Sequence, residues 1–119
     1  MRKYGYTGNI INKGELLFQQ GKLREAEEQF LIAIQSDPAN KEAHNNLGVI
    51  AFWEMDHEKA ISLFKKALDV DPLYIDAIIY LCDVLQSTNS LAQALPIIEK
   101  AIAMNPEKKE LRKMVKEDI

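Results

Sequence analysis

The sequence predicts an all-α fold, an α-solenoid of three helix-turn-helix repeats closed by a C-terminal capping helix. The main observation is a string of the form Ala-x3-Phe/Ile-x2-Ala-x4-Pro that recurs every 34 residues, starting at Ala26, Ala60 and Ala94. Within each string the apolar residues have helical spacing, and no segment shows the alternation of a strand. A fixed period of this length is typical of stacked repeat proteins, which offer an interaction surface rather than a catalytic pocket.

Each repeat has the pattern of two amphipathic helices. In the middle repeat the first helix carries an apolar stripe that includes Leu47 and Gly48, and the second helix carries a matching stripe that includes Ala60 and Phe64. The small residues at Gly48 and Ala60 predict a close approach of the two backbones, with Phe64 filling the space beside them. Polar or glycine-containing turns separate the helices of each repeat, at Gly21, at 55–56 and at 88–90.

The second helix of each repeat is predicted to end at a proline, because the residue before proline is disfavoured in helical geometry. These prolines are Pro38, Pro72 and Pro106. The predicted helices span 7–20, 23–36, 40–54, 57–70, 74–87, 91–104 and 107–118. Pro96 is expected to bend the sixth helix, since it removes a backbone hydrogen bond from the interior. The seventh helix, with the stripe Leu111, Met114, Val115 and Ile119, is predicted to cap the stack.

Composition restricts the class of protein. A chain of 119 residues is expected to form a single domain, and a net charge of −3 argues against binding to nucleic acid or to an anionic membrane. The longest apolar run, 47–53, is too short to span a membrane, and the N-terminus shows no signal peptide. The single cysteine, Cys82, cannot form an internal disulfide, which favours a reducing compartment and a cytoplasmic location.

The sequence predicts neither catalysis, nor a metal, nor a cofactor. His44, His57 and Cys82 do not have the spacing of metal ligands, and Cys82 replaces a small glycine of the other repeats. Ser62 and Lys65 form an S-x-x-K string, but the partner motifs of acyl-serine enzymes are missing. We therefore expect a protein that is not an enzyme.

The repeat resembles the tetratricopeptide repeat family, whose pattern is Trp-x2-Leu-Gly-x2-Tyr, then Ala-x3-Phe, Ala and Pro. The middle repeat reads His44-x2-Leu47-Gly48-x2-Ala51, then Ala60-x3-Phe64, Ala67 and Pro72. It departs from the pattern at His44 and Ala51, and the first repeat departs at Lys13. The resemblance covers repeats at about 7–40, 41–74 and 75–108 within one domain, 1–119. It implies that the first helices of the repeats line a concave groove.

The face of each first helix opposite its packing stripe supplies the candidate groove residues. In the middle repeat this face carries two large aromatics where a surface helix normally has charged residues. The predicted groove consists of Asn12, Glu15, Phe18, Glu42, Asn45, Asn46, Val49, Phe52, Trp53, Asp76, Ile79, Tyr80 and Asp83. Packing between neighbouring first helices is the competing interpretation for Phe18 and Phe52, and less so for Trp53. The groove is thus expected to have an aromatic centre and acidic margins.

Two known binding modes of the family bear on this groove. Asn12 and Asn46 occupy equivalent positions, which resembles the asparagine ladder that holds the backbone of a bound peptide. The carboxylate clamp that grips chaperone C-termini is not supported, because only Asn46 matches it. Ile11, Glu15, Asp76 and Tyr80 stand at its other positions.

The predicted function is protein–protein interaction, with a neutral to basic peptide or partner helix in the groove. One alternative is self-assembly into a homo-oligomer through the groove or the repeat ends. Another is that the chain is the interaction part of a larger bacterial-type protein with an enzymatic domain.

Overall fold

The computed structural model describes residues 3–104 and Glu107, and all the regular structure in residues 3–104 is helical. Its elements are α1 (Lys3–Gln19), α2 (Leu23–Ser36), α3 (Lys41–Trp53), α4 (His57–Val70), α5 (Ile75–Ser87), a 3₁₀ helix (Leu91–Ala94) and α6 (Leu95–Met104). The predicted all-α repeat fold is confirmed. The predicted capping helix, 107–118, and the helix stop at Pro106 lie outside the described residues.

Consecutive helices pack against each other along the chain, α1 on α2, α2 on α3, α3 on α4 and α4 on α5. In addition α3 contacts both α1 and α5, the first helices of the neighbouring repeats. The three first helices therefore form one layer, with α3 in its middle. This layer is the surface on which the candidate site residues lie.

The packing of the core explains why glycine recurs at positions 14 and 48. A Cβ atom added at Gly48 would lie 2.6 Å from Cε1 of Phe64, and one added at Gly14 would lie 2.6 Å from the same atom of Phe30. Both phenylalanine rings are buried, so the glycines let them pack directly on the backbone of the preceding helix. In the third repeat Cys82 replaces glycine and the smaller Ile98 replaces phenylalanine, and both side chains belong to one buried cluster.

The turn inside each repeat has the same backbone geometry. Gly21, Met55 and Asn89 lie 34 residues apart and adopt left-handed φ angles of 79°, 64° and 57°. The closing hydrogen bonds join Lys22 N to Leu17 O at 2.9 Å, Asp56 N to Ala51 O at 2.9 Å and Ser90 N to Leu85 O at 2.7 Å. This is the Schellman arrangement, which satisfies the last carbonyl groups of a helix and favours glycine or asparagine at the left-handed position. Methionine is the unusual residue of the three.

Two of the central helices have side-chain N-caps. The Asn40 side chain accepts a hydrogen bond from the Ala43 backbone N–H at 2.9 Å and caps α3. Asp56 accepts one from the Lys59 N–H at 3.2 Å and caps α4. These caps satisfy backbone donors that the first helical turn leaves unpaired, so they fix where both helices begin.

Two predictions about helix boundaries were wrong. The helix expected at 7–20 begins at Lys3, because no proline interrupts the residues upstream of its apolar stripe. The helix expected at 91–104 begins at Leu95, after a separate 3₁₀ turn. Pro96 is consequently in the first turn of α6, where backbone N–H groups have no acceptor within the helix, so the missing N–H of proline costs no hydrogen bond. The predicted bend of a helix interior at Pro96 is therefore wrong.

Candidate functional site

The layer of first helices contains a depression of about 450 Å³, which we call the groove. Its walls come from α1, α3 and α5, and one buried ring of α2 closes its floor. The lining residues are Glu15, Phe18, Gln19, Phe30, Asn45, Asn46, Val49, Asp76 and Tyr80. A depression of this size is within the usual range of ligand pockets.

Seven of the thirteen predicted residues line the groove, namely Glu15, Phe18, Asn45, Asn46, Val49, Asp76 and Tyr80. Sequence reasoning missed Gln19 and Phe30. Gln19 carried a usable signal, because it occupies in the first repeat the position that Trp53 has in the second. Phe30 carried none, since it belongs to the second helix of its repeat and is part of the core.

The other six predicted residues lie elsewhere on the same helices. Three of them are exposed, namely Asn12, Trp53 and Asp83. The other three are half-buried, namely Glu42, Phe52 and Ile79. None of the six lines the groove, although Trp53 is close to it. Their role in binding therefore remains a prediction.

The two neighbouring aromatics of α3 point in different directions. The Phe52 ring packs edge-on against His57 of α4, with ring centroids 6.0 Å apart, and joins the periphery of the core. The Trp53 ring remains 69% exposed and meets Phe18 edge-on at 6.3 Å. Because Phe18 lines the groove, its contact with Trp53 places the exposed Trp53 ring at the rim of the groove beside Phe18. Phe52 instead contributes to the packing of α3 against α4.

Asn46 is already engaged inside the groove. Its Nδ2 donates a hydrogen bond to Oε2 of Glu15 across the α1–α3 contact, at 3.3 Å. This bond turns the Glu15 carboxylate toward α3 and commits one donor of the amide. Asn12, the other predicted rung of the asparagine ladder, is exposed on α1 and does not line the groove, so the two asparagines are not equivalent.

Carboxylates from α1, α3 and α5 act together on the Tyr74 phenol. Burial raises the pKa of the Tyr74 phenol well above its usual range, and the carboxylates of Asp76, Glu42 and Glu15 raise it further. All three carboxylates are therefore close enough to Tyr74 to affect its ionisation. Among the described residues that line the groove, Glu15 and Asp76 are negative and none is lysine or arginine.

Lys41, the first residue of α3, already has an acidic partner. Its Nζ lies 2.6 Å from Oδ2 of Asp71 and 5.0 Å from the centre of the Tyr74 ring. The hydrogen bond to Asp71 raises the pKa of Lys41, and the same bond lowers the pKa of Asp71. Lys41 therefore does not neutralise the groove carboxylates by pairing with them.

Asn45 is the groove residue with unusual burial. Its side chain is 4% exposed, and its Oδ1 has no hydrogen-bond partner among the described residues. His44, beside it in sequence, is also buried; its Nε2 lies 2.9 Å from the carbonyl oxygen of Pro38, and its Nδ1 has no hydrogen-bond partner among the described residues. A buried amide oxygen without a donor is unfavourable unless something else supplies one.

The described part of the chain has neither a metal-binding cluster nor a membrane-spanning helix. Within residues 3–104 and Glu107, no group of three or more histidine, cysteine, aspartate or glutamate side chains could hold a metal ion. Over the same residues, the helices lack the length and apolar character needed to cross a bilayer.

Comparison with known proteins gives a consistent result for sequence and fold. A family model described as tetratricopeptide repeat matches residues 11–75, and a second model with the same description matches residues 54–117.

Three solved structures illustrate the likeness. The N-terminal domain of stress-induced protein-1 (STI-1) from C. elegans has a TM-score of 0.80 and 22% identity, covering 98% of this chain and 97% of that one. The first TPR of Spaghetti (RPAP3), bound to the HSP90 peptide SRMEEVD, has a TM-score of 0.79 and 21% identity, covering 93% and 90%. The O-GlcNAc transferase of Thermobaculum terrenum has a TM-score of 0.78 and 18% identity, covering 93% of this chain and 21% of that one.

Proposed function

Because this chain belongs to the tetratricopeptide repeat family, we propose that its groove binds a peptide or partner helix of another protein and carries out no catalysis. The observation that carries the proposal is the groove itself, about 450 Å³ between three helices and lined by the half-buried rings of Phe18 and Tyr80. Aromatic side chains in a partly desolvated depression are the usual anchors of an interface. Trp53, exposed at the rim, extends this apolar surface.

We propose a neutral to basic ligand, because Glu15 and Asp76 would repel an acidic one. The first TPR of Spaghetti is bound to a peptide, SRMEEVD, that contains three acidic residues. In the present chain the positions that the family resemblance assigns to a carboxylate clamp hold Ile11, Glu15, Asp76 and Tyr80 beside Asn46. The ligand of this groove is therefore proposed to differ in charge from that peptide.

The test uses Trp53, the chain's single tryptophan, as both probe and target. Peptides selected from a random displayed library are synthesised and titrated against the protein, with Trp53 fluorescence and calorimetry as readouts. We expect Trp53→Ala to weaken binding by about tenfold or more while the thermal midpoint stays unchanged, because an exposed anchor contributes to affinity and little to the core.

Leu16→Ala is the matched control, since Leu16 is another large apolar side chain, 55% exposed on α1, outside the predicted and observed groove. It should bind the peptides normally. Equal affinity of Trp53→Ala and wild type, with no fluorescence change at saturation, would contradict the proposal. Light scattering on the free protein distinguishes self-assembly, which requires a mass that grows with concentration.

A second candidate is favoured by one comparison. The chain matches 21% of the length of the Thermobaculum terrenum O-GlcNAc transferase, so helical repeats of this fold occur within a longer enzyme. The corresponding proposal is that these repeats are the interaction part of a longer protein that also has an enzymatic domain. Sequencing the transcript that encodes the chain tests it, since an open reading frame limited to these repeats would exclude it.

We also propose a reducing compartment, such as the cytoplasm, as the place of action. Cys82 is buried in the core of the third repeat and is the chain's single cysteine, which fits a protein that does not depend on disulfides. Localising a fluorescent fusion in cells tests this.

A further inference from the structure

The second helix of the first repeat exposes apolar side chains at positions that the other repeats fill with charges. On α2, Leu31 is 48% exposed and its neighbour Ile32 is 38% exposed. The equivalent positions of α4 and α6 hold four exposed charged residues, namely Lys65, Lys66, Glu99 and Lys100. The fold therefore accepts charged residues at both positions, and packing within the chain does not explain why α2 has leucine and isoleucine there.

A carboxylate lies beside this apolar pair. Glu28 precedes Leu31 and Ile32 by three and four residues, a spacing that puts all three on one face of the helix. Its side chain is exposed and forms no ion pair with another described residue. We call Glu28, Leu31 and Ile32 the α2 patch. The patch lies on the side of α2 opposite its buried stripe of Ala26, Phe30 and Ala33.

The other two second helices enclose a depression of the opposite charge. It lies between α4 and α6, has a volume of about 460 Å³, and is called here the crevice. Its lining consists of Lys65, Leu68, Asp69, Pro72, Ile97 and Lys100. Leu68 and Ile97 are half-buried and form its apolar part. Lys65 and Lys100 are exposed, and neither pairs with an acidic group elsewhere in the described residues.

We propose that the α2 patch of one copy of the chain docks in the crevice of a second copy, and that two such contacts related by a two-fold axis form a closed dimer. Leu31 and Ile32 match the apolar part of the crevice. Glu28 has the charge opposite to that of Lys65 and Lys100, so the contact is complementary in charge as well. Each chain has both surfaces on its second helices, which allows the reciprocal contacts of an isologous dimer.

This dimer goes beyond the function proposed for the groove and does not depend on it. The patch and the crevice belong to α2, α4 and α6, whereas the groove walls come from α1, α3 and α5. A dimer of this kind leaves both grooves free to bind peptides.

Light scattering measures the mass of the full chain at protein concentrations from about 10 µM to about 1 mM, the range expected for association through a small interface. We expect the mass to rise and reach a plateau at twice the 13.6 kDa of one chain. A mass that stays at 13.6 kDa throughout, or one that rises past the dimer without a plateau, would overturn the inference.

The first variant combines Leu31→Lys with Ile32→Lys. It gives α2 the residues that α4 has at the equivalent exposed positions, so the fold should tolerate it. We expect the dissociation constant of the dimer to rise about tenfold or more, while the thermal midpoint of dilute protein stays unchanged. Leu16→Ala, at an exposed leucine of α1, is the matched control and should dimerise normally.

A charge exchange tests the pairing directly. Lys65→Glu combined with Lys100→Glu should weaken the dimer by a similar factor, because Glu28 would then face two carboxylates. Adding Glu28→Lys to this variant should restore the dimer, a recovery that damage to the fold cannot produce. Dimerisation of either double variant with wild-type affinity, or failure of Glu28→Lys to restore it, contradicts the proposed contact.

Trp53→Ala separates this inference from the function proposed for the groove. It should leave the dimer unchanged, because Trp53 lies at the groove rim on α3. If Trp53→Ala abolishes the dimer, the groove itself is the self-association surface, and both proposals fail. If the dimer behaves as expected but no peptide binds at the groove, the proposed function fails and the dimer stands.

Discussion

Replacing Met55 by glycine should stabilise the protein by about 0.5–1 kcal/mol. Met55 occupies the left-handed position of the turn between α3 and α4, with φ of 64°, and the equivalent residues of the other repeats are Gly21 and Asn89. A residue with a Cβ atom is strained there by about 1–2 kcal/mol, because Cβ approaches the following carbonyl oxygen. Glycine removes this strain, but it adds unfolded-state entropy worth about 0.4–1 kcal/mol.

The side chain itself contributes little to this balance. Met55 is 72% exposed, so its removal costs little buried apolar surface. The two closing hydrogen bonds of the turn, from Met55 N to Phe52 O and from Asp56 N to Ala51 O, involve backbone atoms alone and survive the substitution. The strain and entropy terms thus decide the outcome, and their difference favours glycine.

Urea unfolding followed by circular dichroism measures the change in the free energy of unfolding. In a separate thermal melt, the midpoint temperature should rise by about 2–5 °C. Gly21→Met is the reciprocal variant at the equivalent turn, and it should destabilise the protein by a similar amount. If Met55→Gly left the midpoint unchanged or lowered it, or if Gly21→Met were neutral, strain at the left-handed position would not be the controlling term. A change of the urea m-value would indicate an altered unfolded state instead.

Two further substitutions test the packing and the electrostatics of the fold. Gly48→Ala should destabilise the protein by about 1–3 kcal/mol relative to Gly8→Ala, because its Cβ would meet Phe64 at 2.6 Å whereas a Cβ at Gly8 meets nothing within 4 Å. Both changes gain about 0.5–1 kcal/mol of helix propensity, so equal effects in urea unfolding would refute the close contact. Lys41→Met should cost about 0.5–1 kcal/mol at neutral pH. Since the Lys41 hydrogen bond lowers the pKa of Asp71, this stabilisation is present above about pH 4 and is lost as the pH falls through the lowered pKa. Wild type and Lys41→Met should therefore converge in acid, and a constant difference at all pH values would contradict the pairing.

The repeat period predicted most of the fold because the same physical constraint recurs at each position. The bounds predicted for α2 and α4 agree with the structure, since a buried stripe and a following proline define these helices in the sequence itself. Pro96 was misplaced because the apolar spacing continues through the preceding 3₁₀ turn, and the pattern alone does not distinguish a 3₁₀ turn from the first turn of an α-helix.

The candidate site was predicted less completely for a different reason. Helical periodicity gives the direction of a side chain about its own helix, but it does not say which neighbouring helix covers it. Phe52 and Trp53 were both assigned to the groove face, yet α4 lies close enough to take Phe52 into contact with His57, and Trp53 reaches α1. The unpaired oxygen of Asn45 is likewise a property of the assembled layer.

The positions at which the three repeats agree and those at which they differ have separate physical roles. Agreement is found where a side chain is buried between the two helices of a repeat, as at Phe30 and Phe64, because each repeat must solve the same packing problem. The groove is formed by residues of three repeats, so this packing constraint does not require the same residue at equivalent groove positions. The middle repeat accordingly has Asn45 at the groove wall, where the other two repeats have Ile11 and Ile79. A substitution that restores the repeat at the groove, such as Asn45→Ile, should therefore preserve or raise stability, because it removes a buried amide oxygen that has no hydrogen-bond partner among the described residues. A substitution that breaks the repeat in the core should lower stability first and affect binding through unfolding alone.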